Sequence, residues 1–526
     1  KHPAFPVTEN PPLLVKDPAQ VDGSFDAQKI FRKKTSHFMG KCEIIELTKK
    51  LFFRTPIKER RSYHEAGMKI TRKDTREHLE QLELACELAK LIRHFFPGLV
   101  PLLKKLPDPR NQSYTTYPGA VLLMTRILSS IFYISSMRKT SEEFNSDTVI
   151  ENVWSLCGEE PAVDELPYWE TINRYLKRMD PCGLQEAINS LCRRLLRSRA
   201  FEGMRIRGKY WQVIIDGTQL YSTRGELDEK SLYRIHQKGT EGEYRENYYY
   251  VLEAKLVLHP KIIVSFQTEF VENEDGKEAE KQDCERKACW RLMEKIAGAF
   301  PRLPICLCGD SLYACEGFFG RCREMGWRYI LRYKEGSIPY IAGEYRALKE
   351  REGNYQERVL EDGKEWYDYV EDIDYNGYHV NLVEYGSCRK RVYKKGKRKG
   401  EAEEEQKGFW FATDFPVSRK NVANLVQRGR MRWKIENEGF NTQKKQGYYL
   451  EHQYSKDYQA MKNHYYLTQI GHMVAQVMEA WEKLWSQNRQ SREQRHRRVL
   501  ESFKKVRLKE NREETGRRIQ IRLEPE

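Results

Sequence analysis

"YWQVIID", Tyr210 to Asp216, is the stretch on which the fold turns. Apolar side chains run through it and it closes on a carboxylate, the pattern of a buried strand that delivers an acid to its end. Beyond it, "NYYYVLEAKLVLH" and "KIIVSFQTEFV" read as paired strands joined at His259-Pro260. "EAEKQDCERKACWRLMEKIAGAF" is an amphipathic helix stopped by Pro301, and "LPICLCGD" is another buried strand, closing on Asp310. "SLYACEGFFGRCREMG" reads as a helix and "RYILRYK" as a strand. The predicted order is β-β-β-α-β-α-β, an α/β core with acids ending its first and fourth strands.

The flanks divide the chain further. Residues 1–105 open as a Pro-rich arm and continue as the helix "TREHLEQLELACELAKLIRHFF", ended by Pro97-Gly98. Residues 106–205 read as short helices with tight polar links, the last rich in Arg. That pattern suits a helix-turn-helix-like DNA-binding module or, equally, a helical packing domain. Residues 206–335 hold the first part of the α/β core. Over 336–418 the helical signal fades into Tyr-rich alternation such as "EWYDYVEDIDY" and "GFWFATDF", a β-rich insertion. Residues 419–485 return to helices and complete the core, and 486–526 form a basic tail, read as a solvated helix ending in a short strand.

Composition narrows the classes. The 526 residues are 39% apolar and 32% charged, which is globular rather than disordered. A net charge of +15 leans toward a polyanionic partner, nucleic acid before an anionic membrane. Twelve cysteines lie scattered, and no secretory signal precedes them, so reduced cytosolic thiols are expected. Cys306/Cys308 and Cys284/Cys289 lack a second Cys/His pair at zinc-finger spacing, which argues against structural zinc. The longest apolar run, Ala120 to Ile134, is broken by Arg126 and is too short to span a bilayer; a buried helix is expected there.

Three carboxylates stand out. Asp216 before Gly217-Thr218 has the local look of a turn cap, and Asp310 that of a helix N-cap. On adjacent strand ends the two would repel unless a divalent cation sat between them. In the helix "RMRWKIENEGFNTQKKQGY", Arg430 to Tyr448, a turn of about 100° per residue puts Glu436 with Trp433, Phe440 and Gly447 on an inward apolar stripe. Glu438, about 200° away among Lys434, Asn441 and Lys445, is then a water-facing partner for lysines. An inward Glu436 needs a partner or a metal.

Two strand-end aspartates and a helical glutamate are what two-metal phosphoryl transfer requires. The order with Asp216, Asp310 and Glu436 resembles the ribonuclease H-like core of DDE transposases. More narrowly it resembles the bacterial insertion-sequence group that carries a β-rich insert before the Glu. In that group the Glu stands in the pattern Tyr-x2-Arg-x3-Glu-x6-Lys. Arg432 and Glu436 match it in "RWKIE"; the Tyr position falls on Gly429 and the Lys position on Gln443, with Lys444 one step later. The resemblance covers about residues 110–480.

The resemblance implies a transposase that cleaves transposon ends and joins their 3′ ends to target DNA. Its cofactor would be Mg²⁺, replaceable by Mn²⁺, held by Asp216, Asp310 and Glu436. Its partners would be double-stranded DNA, as terminal inverted repeats and target, and at least a second copy of the chain, with no membrane. The setting would be the cytoplasm and nucleoid of a bacterium. Arg432 and Lys444 would contact phosphates, a structural salt bridge being an equal reading for Lys444. Trp410 and Trp366 are read as core aromatics of the insert or as platforms for an unpaired base. Arg389, Lys390, Arg391, Lys394 and Lys395 either cover phosphates or form a hairpin tip neutralised by the glutamates that follow. A domesticated DNA-binding protein without catalysis, and a nuclease without strand transfer, are the competing expectations.

Overall fold

The structure, a computed structural model, describes residues 72–134, 136–273, 283–393, 398, 400–481 and 490–510. It divides after Thr75 into two compact units, and the second, Arg76–Glu526, holds the sheet and the helices packed on it. The expected N-terminal arm, Lys394, Lys395 and the expected terminal strand lie outside the described residues.

Apolar periodicity upstream of Lys209 is realised as α1 (Arg72–Phe95), α2 (Leu99–Lys105), α3 (Gly119–Ile131), α4 (Met137–Glu143), α5 (Asp147–Cys157), α6 (Trp169–Arg178) and α7 (Pro181–Arg197). Helix ends follow local chemistry. Asp180 caps α7 by accepting from the Cys182 N–H, with Pro181 at the first helical position, and Gly158 closes α5 in the left-handed conformation. Helix α3 is buried on nearly every side, so Arg126 is buried with it, 5% exposed. Its guanidinium donates to Ser129 and Ser130 (2.8 and 2.6 Å) and across to His464 and Thr468 (3.0 and 3.1 Å). Burial lowers its pKa to about 10, which still leaves it charged at neutral pH.

The core follows as β1 (Trp211–Thr223), β2 (Leu232–His236), β3 (Tyr244–His259), β4 (Ile262–Val271), α8 (Glu285–Ala299), β5 (Ile305–Gly309), α9 (Glu316–Glu324) and β6 (Arg328–Tyr333). β3 pairs antiparallel with β1, with β2 through Tyr244–Tyr248 and with β4 through Tyr250–His259. β5 lies parallel to both β1 and β6. The spatial order β4-β3-β1-β5-β6 is the ribonuclease H-like α/β arrangement expected. Strand β2, with Leu232 as its one buried side chain, was not foreshadowed by any alternation.

The insert departs from expectation in one way. It opens with a helix, α10 (Pro339–Glu352), started by Pro339 and closed by left-handed Gly353. Its strands β7 (Gln356–Leu360), β8 (Gly363–Tyr375), β9 (Tyr378–Val392) and β10 (Ala402–Thr413) extend the core sheet, because β10 pairs antiparallel with β6. One continuous sheet of ten strands results among the described residues.

Helices α11 (Val422–Arg430), a π-helix (Ile435–Asn441), α12 (Thr442–Lys445), α13 (Tyr458–Ala480) and α14 (Arg492–Lys505) complete the unit. Helix α13 is almost wholly buried between β4 and helices α3, α6 and α7, so the helical module shares a core with the sheet. The expectation of a solvated tail is corrected by α14. It buries His496, Val499, Leu500 and Phe503 and packs on α5. Asn152 of α5 donates to the Phe503 and Val506 carbonyls (2.9 and 2.7 Å) and accepts from Leu508 N–H (2.8 Å).

Candidate active site

Asp216 does not end its strand. β1 runs on to Thr223, but its parallel ladder with β5 stops at Ile214, so Asp216 stands just past the carboxyl edge of β5. Asp310 follows β5 directly and caps a 3-10 turn (Ser311–Tyr313) by accepting from the Leu312 N–H at 2.8 Å. The carboxyl edge of neighbouring parallel strands is where α/β folds place their ligands. Burial pushes the Asp216 carboxyl up to about 6; Arg432 opposes the shift, while Glu285 and Asp310 add to it.

Arg432 reaches Asp216 from the other side of the chain. Its Nη1 donates to Asp216 Oδ2 at 3.2 Å, joining the turn between α11 and the π-helix that bears Glu436 to β1. Glu436 is exposed and has no hydrogen-bond or ion-pair partner among the described residues. The expected helix faces are therefore corrected. Trp433 is 46% exposed, Glu436 is exposed, and Glu438 is the half-buried one. The π-helix, with i→i+5 spacing from Ile435 to Asn441, breaks the 100° phase between Glu436 and Phe440, so exposed Trp433 and Glu436 no longer share a face with buried Phe440.

Glu438 pairs with Lys434 at 3.5 Å, the i,i+4 partnership expected, and also with Arg492 of α14 at 3.2 Å. Arg492 donates as well to Thr442 and Gln446 (3.0 and 2.7 Å) and pairs with Glu479 (2.7 Å), so the tail buttresses the Glu436 helix. Beneath that helix, Gly439 leaves room for buried Lys255, whose ammonium donates to Gln469 (2.9 Å) and lies 3.7 Å from buried Glu253.

The altered signature positions have physical reasons. A side chain on Gly429 would collide with Phe411 at 2.6 Å, so a Tyr cannot stand where α11 crosses β10. Gln443 is fully buried, donating to Gln469 (2.8 Å) in a network with His472 and Gln476. Lys444 pairs with Glu451 at 3.0 Å.

Other expected residues lie in the insert. Trp410 packs on Tyr333 and Tyr345, and Trp366 covers Gly386, its partner across the β8–β9 ladder. Arg389 pairs with Glu365 (3.1 Å) and Arg391 with Glu405 (3.8 Å), while Lys390 stays exposed opposite Glu404. Strand alternation turns Phe409 and Phe411 to the opposite face from Trp410. They line a cleft of about 310 Å³ with Arg332, Arg430, Arg432 and Trp433, next to Asp216's own partner. The signal for it was present in "GFWFAT", where the period of two separates the phenylalanines from the tryptophan.

Sequence reasoning also missed Glu285, at the start of α8. Tyr250 and Tyr313 both donate to it, at 2.7 and 2.6 Å. Among the described residues no three Asp, Glu, His or Cys side chains converge as a ready metal cage. The donor chemistry fits a divalent cation: Asp216 and Asp310 are hard oxygen donors on adjoining strand edges, and the negative charges of Asp310 and of Glu285, at the start of α8, favour a positive partner at Asp216.

Residues 207–474 match the transposase DDE domain family. The chain belongs to that family. Among solved structures, the cryo-EM structure of the piggyBac transposase synaptic complex with hairpin DNA aligns over 81% of this chain and 81% of that one. The identity is 9% and the TM-score 0.37. No curated protein sequence matches the chain. As a DDE-family transposase it belongs with proteins that use divalent metal ions. No described helix is long and apolar enough to cross a membrane.

Proposed function

We propose that this transposase is a cut-and-paste enzyme of insertion-sequence type, cleaving transposon ends and joining their 3′ ends to target DNA. The observation that carries the reading is the meeting of Arg432, in the turn that opens "RWKIE", with Asp216 at the strand edge beside Asp310. Asp216, Asp310 and Glu436 would hold Mg²⁺, or Mn²⁺ in its place. Bound there, such ions would activate the attacking hydroxyl and steady the leaving 3′ oxygen.

The chain's own groups supply the rest. Arg432 is a fixed guanidinium beside the acids and can orient a phosphate by paired hydrogen bonds. Arg332, Arg430, Phe409 and Trp433 offer charge and ring faces to a strand entering that cleft. The exposed Lys390 adds to the electrostatic footprint, whereas Arg389 and Arg391 are largely neutralised within the sheet. Holding two ends at once calls for at least two copies of the chain.

The test uses the full chain and plasmid DNA carrying the sequences that flank its gene. Asp216→Ala and Glu436→Ala are expected to abolish Mg²⁺- or Mn²⁺-dependent cleavage while band-shift binding stays within a few-fold. Binding with no cleavage under any divalent metal would instead support a domesticated DNA-binding protein.

A further inference from the structure

Two glycines flank the acids, and each is filled by a tyrosine. A side chain on Gly217, next to Asp216, would run into the Tyr250 ring and hydroxyl; one on Gly309, next to Asp310, would lie 2.5 Å from Tyr313. Tyr250 is on β3 and Tyr313 is fully buried in the turn that Asp310 caps. The two hydroxyls converge on one carboxylate, Tyr250 on Glu285 Oε2 at 2.7 Å and Tyr313 on Oε1 at 2.6 Å. A carboxylate accepts at both oxygens at once, which an amide cannot do. Glu285 thus ties the backbone beside each aspartate to the start of α8, and its charge acts on Asp216 as well.

We propose that Glu285 is a positioning residue of the cleavage site, fixing the spacing of Asp216 and Asp310 through Tyr250 and Tyr313. The assignment rests on the cleavage reading of the proposed function. Groups that orient metal ligands in this indirect way cost affinity and activity when removed, even though they touch neither metal nor substrate.

The experiment compares the full-length wild type with Glu285→Gln, the Tyr250→Phe/Tyr313→Phe pair, and the triple variant. Three quantities are read: thermal midpoint, Mn²⁺ dissociation constant by calorimetry, and Mn²⁺-dependent nicking of supercoiled plasmid carrying the gene's flanking DNA. Glu285→Gln is expected to weaken Mn²⁺ binding and slow nicking, each about 10-fold or more. The tyrosine pair should reproduce those losses, and adding Glu285→Gln to it should change either by less than about 3-fold, because the residues act as one unit. A lowered midpoint with unchanged Mn²⁺ affinity and nicking overturns the assignment, as do losses that multiply. If Glu285→Gln does not fold, the tyrosine pair decides by the same two readouts. A wild type that neither binds Mn²⁺ nor nicks overturns the cleavage reading and this assignment together; a nicking wild type with an indifferent tyrosine pair overturns only the assignment.

Discussion

Glu436 and Glu438 stand two positions apart and meet different surroundings, one exposed and without a partner among the described residues, the other bracketed by Lys434 and Arg492. Glu438→Gln is expected to keep cleavage within a few-fold of wild type and to lower stability by about 1 kcal/mol, since its partners are half-buried. Glu436→Gln should lose cleavage and leave stability unchanged; the reverse pattern would reassign the helix. Asp414 offers a pH test away from the site. Burial pushes its carboxyl up to about 6, against hydrogen bonds from Tyr329 N–H and Arg328. A raised folded-state pKa means stability that is present below about pH 4 and lost as pH rises through about 6. Asp414→Asn should therefore gain stability on wild type between pH 4 and pH 7, on the order of 2 kcal/mol, seen as a difference in thermal midpoint that grows over that range. Asp216 and Asp310 were legible because each closes an apolar run. Glu285 was not, because a glutamate opening a helix is already accounted for by the helix dipole.

The elements show why phase reasoning succeeded in the strands and failed on one helix. Period-two alternation survives bulges well enough to place β3, β8 and β10, whereas a single π-turn put buried Phe440 out of phase with exposed Trp433 and Glu436. Helix α10 escaped notice because Ile341, Ala342 and Tyr345 give it only a narrow buried stripe. The tail read as solvated because its charges outnumber the few residues that dock it. Phe503→Ala tests that docking: a fully buried ring between Phe132 and Phe144 should cost about 3–5 kcal/mol in urea unfolding. Gly429→Ala should cost about 1–3 kcal/mol, as Phe411 and Ile330 leave the helix no room to retreat. A stability unaffected by either change would mean that these elements pack otherwise.

At the scale of the molecule, sheet and helical module form one body around α13, with the acids on the carboxyl edge of β5 and the β insert continuing the same sheet. That continuity was hidden from the sequence because nothing local says which strand β10 will choose. The +15 net charge predicts binding to DNA that weakens steeply between about 50 and 200 mM salt, as released counterions require. The most direct test of the central claim supplies DNA ending in the element's flanking repeats, a supercoiled target plasmid and Mg²⁺, and sequences the junctions. Wild type is expected to join 3′ ends into the plasmid with target duplications of fixed length, and Asp216→Ala, Asp310→Ala and Glu436→Ala to join none. Cleavage without joined 3′ ends, or joining that survives loss of any one of the three carboxylates, would contradict it.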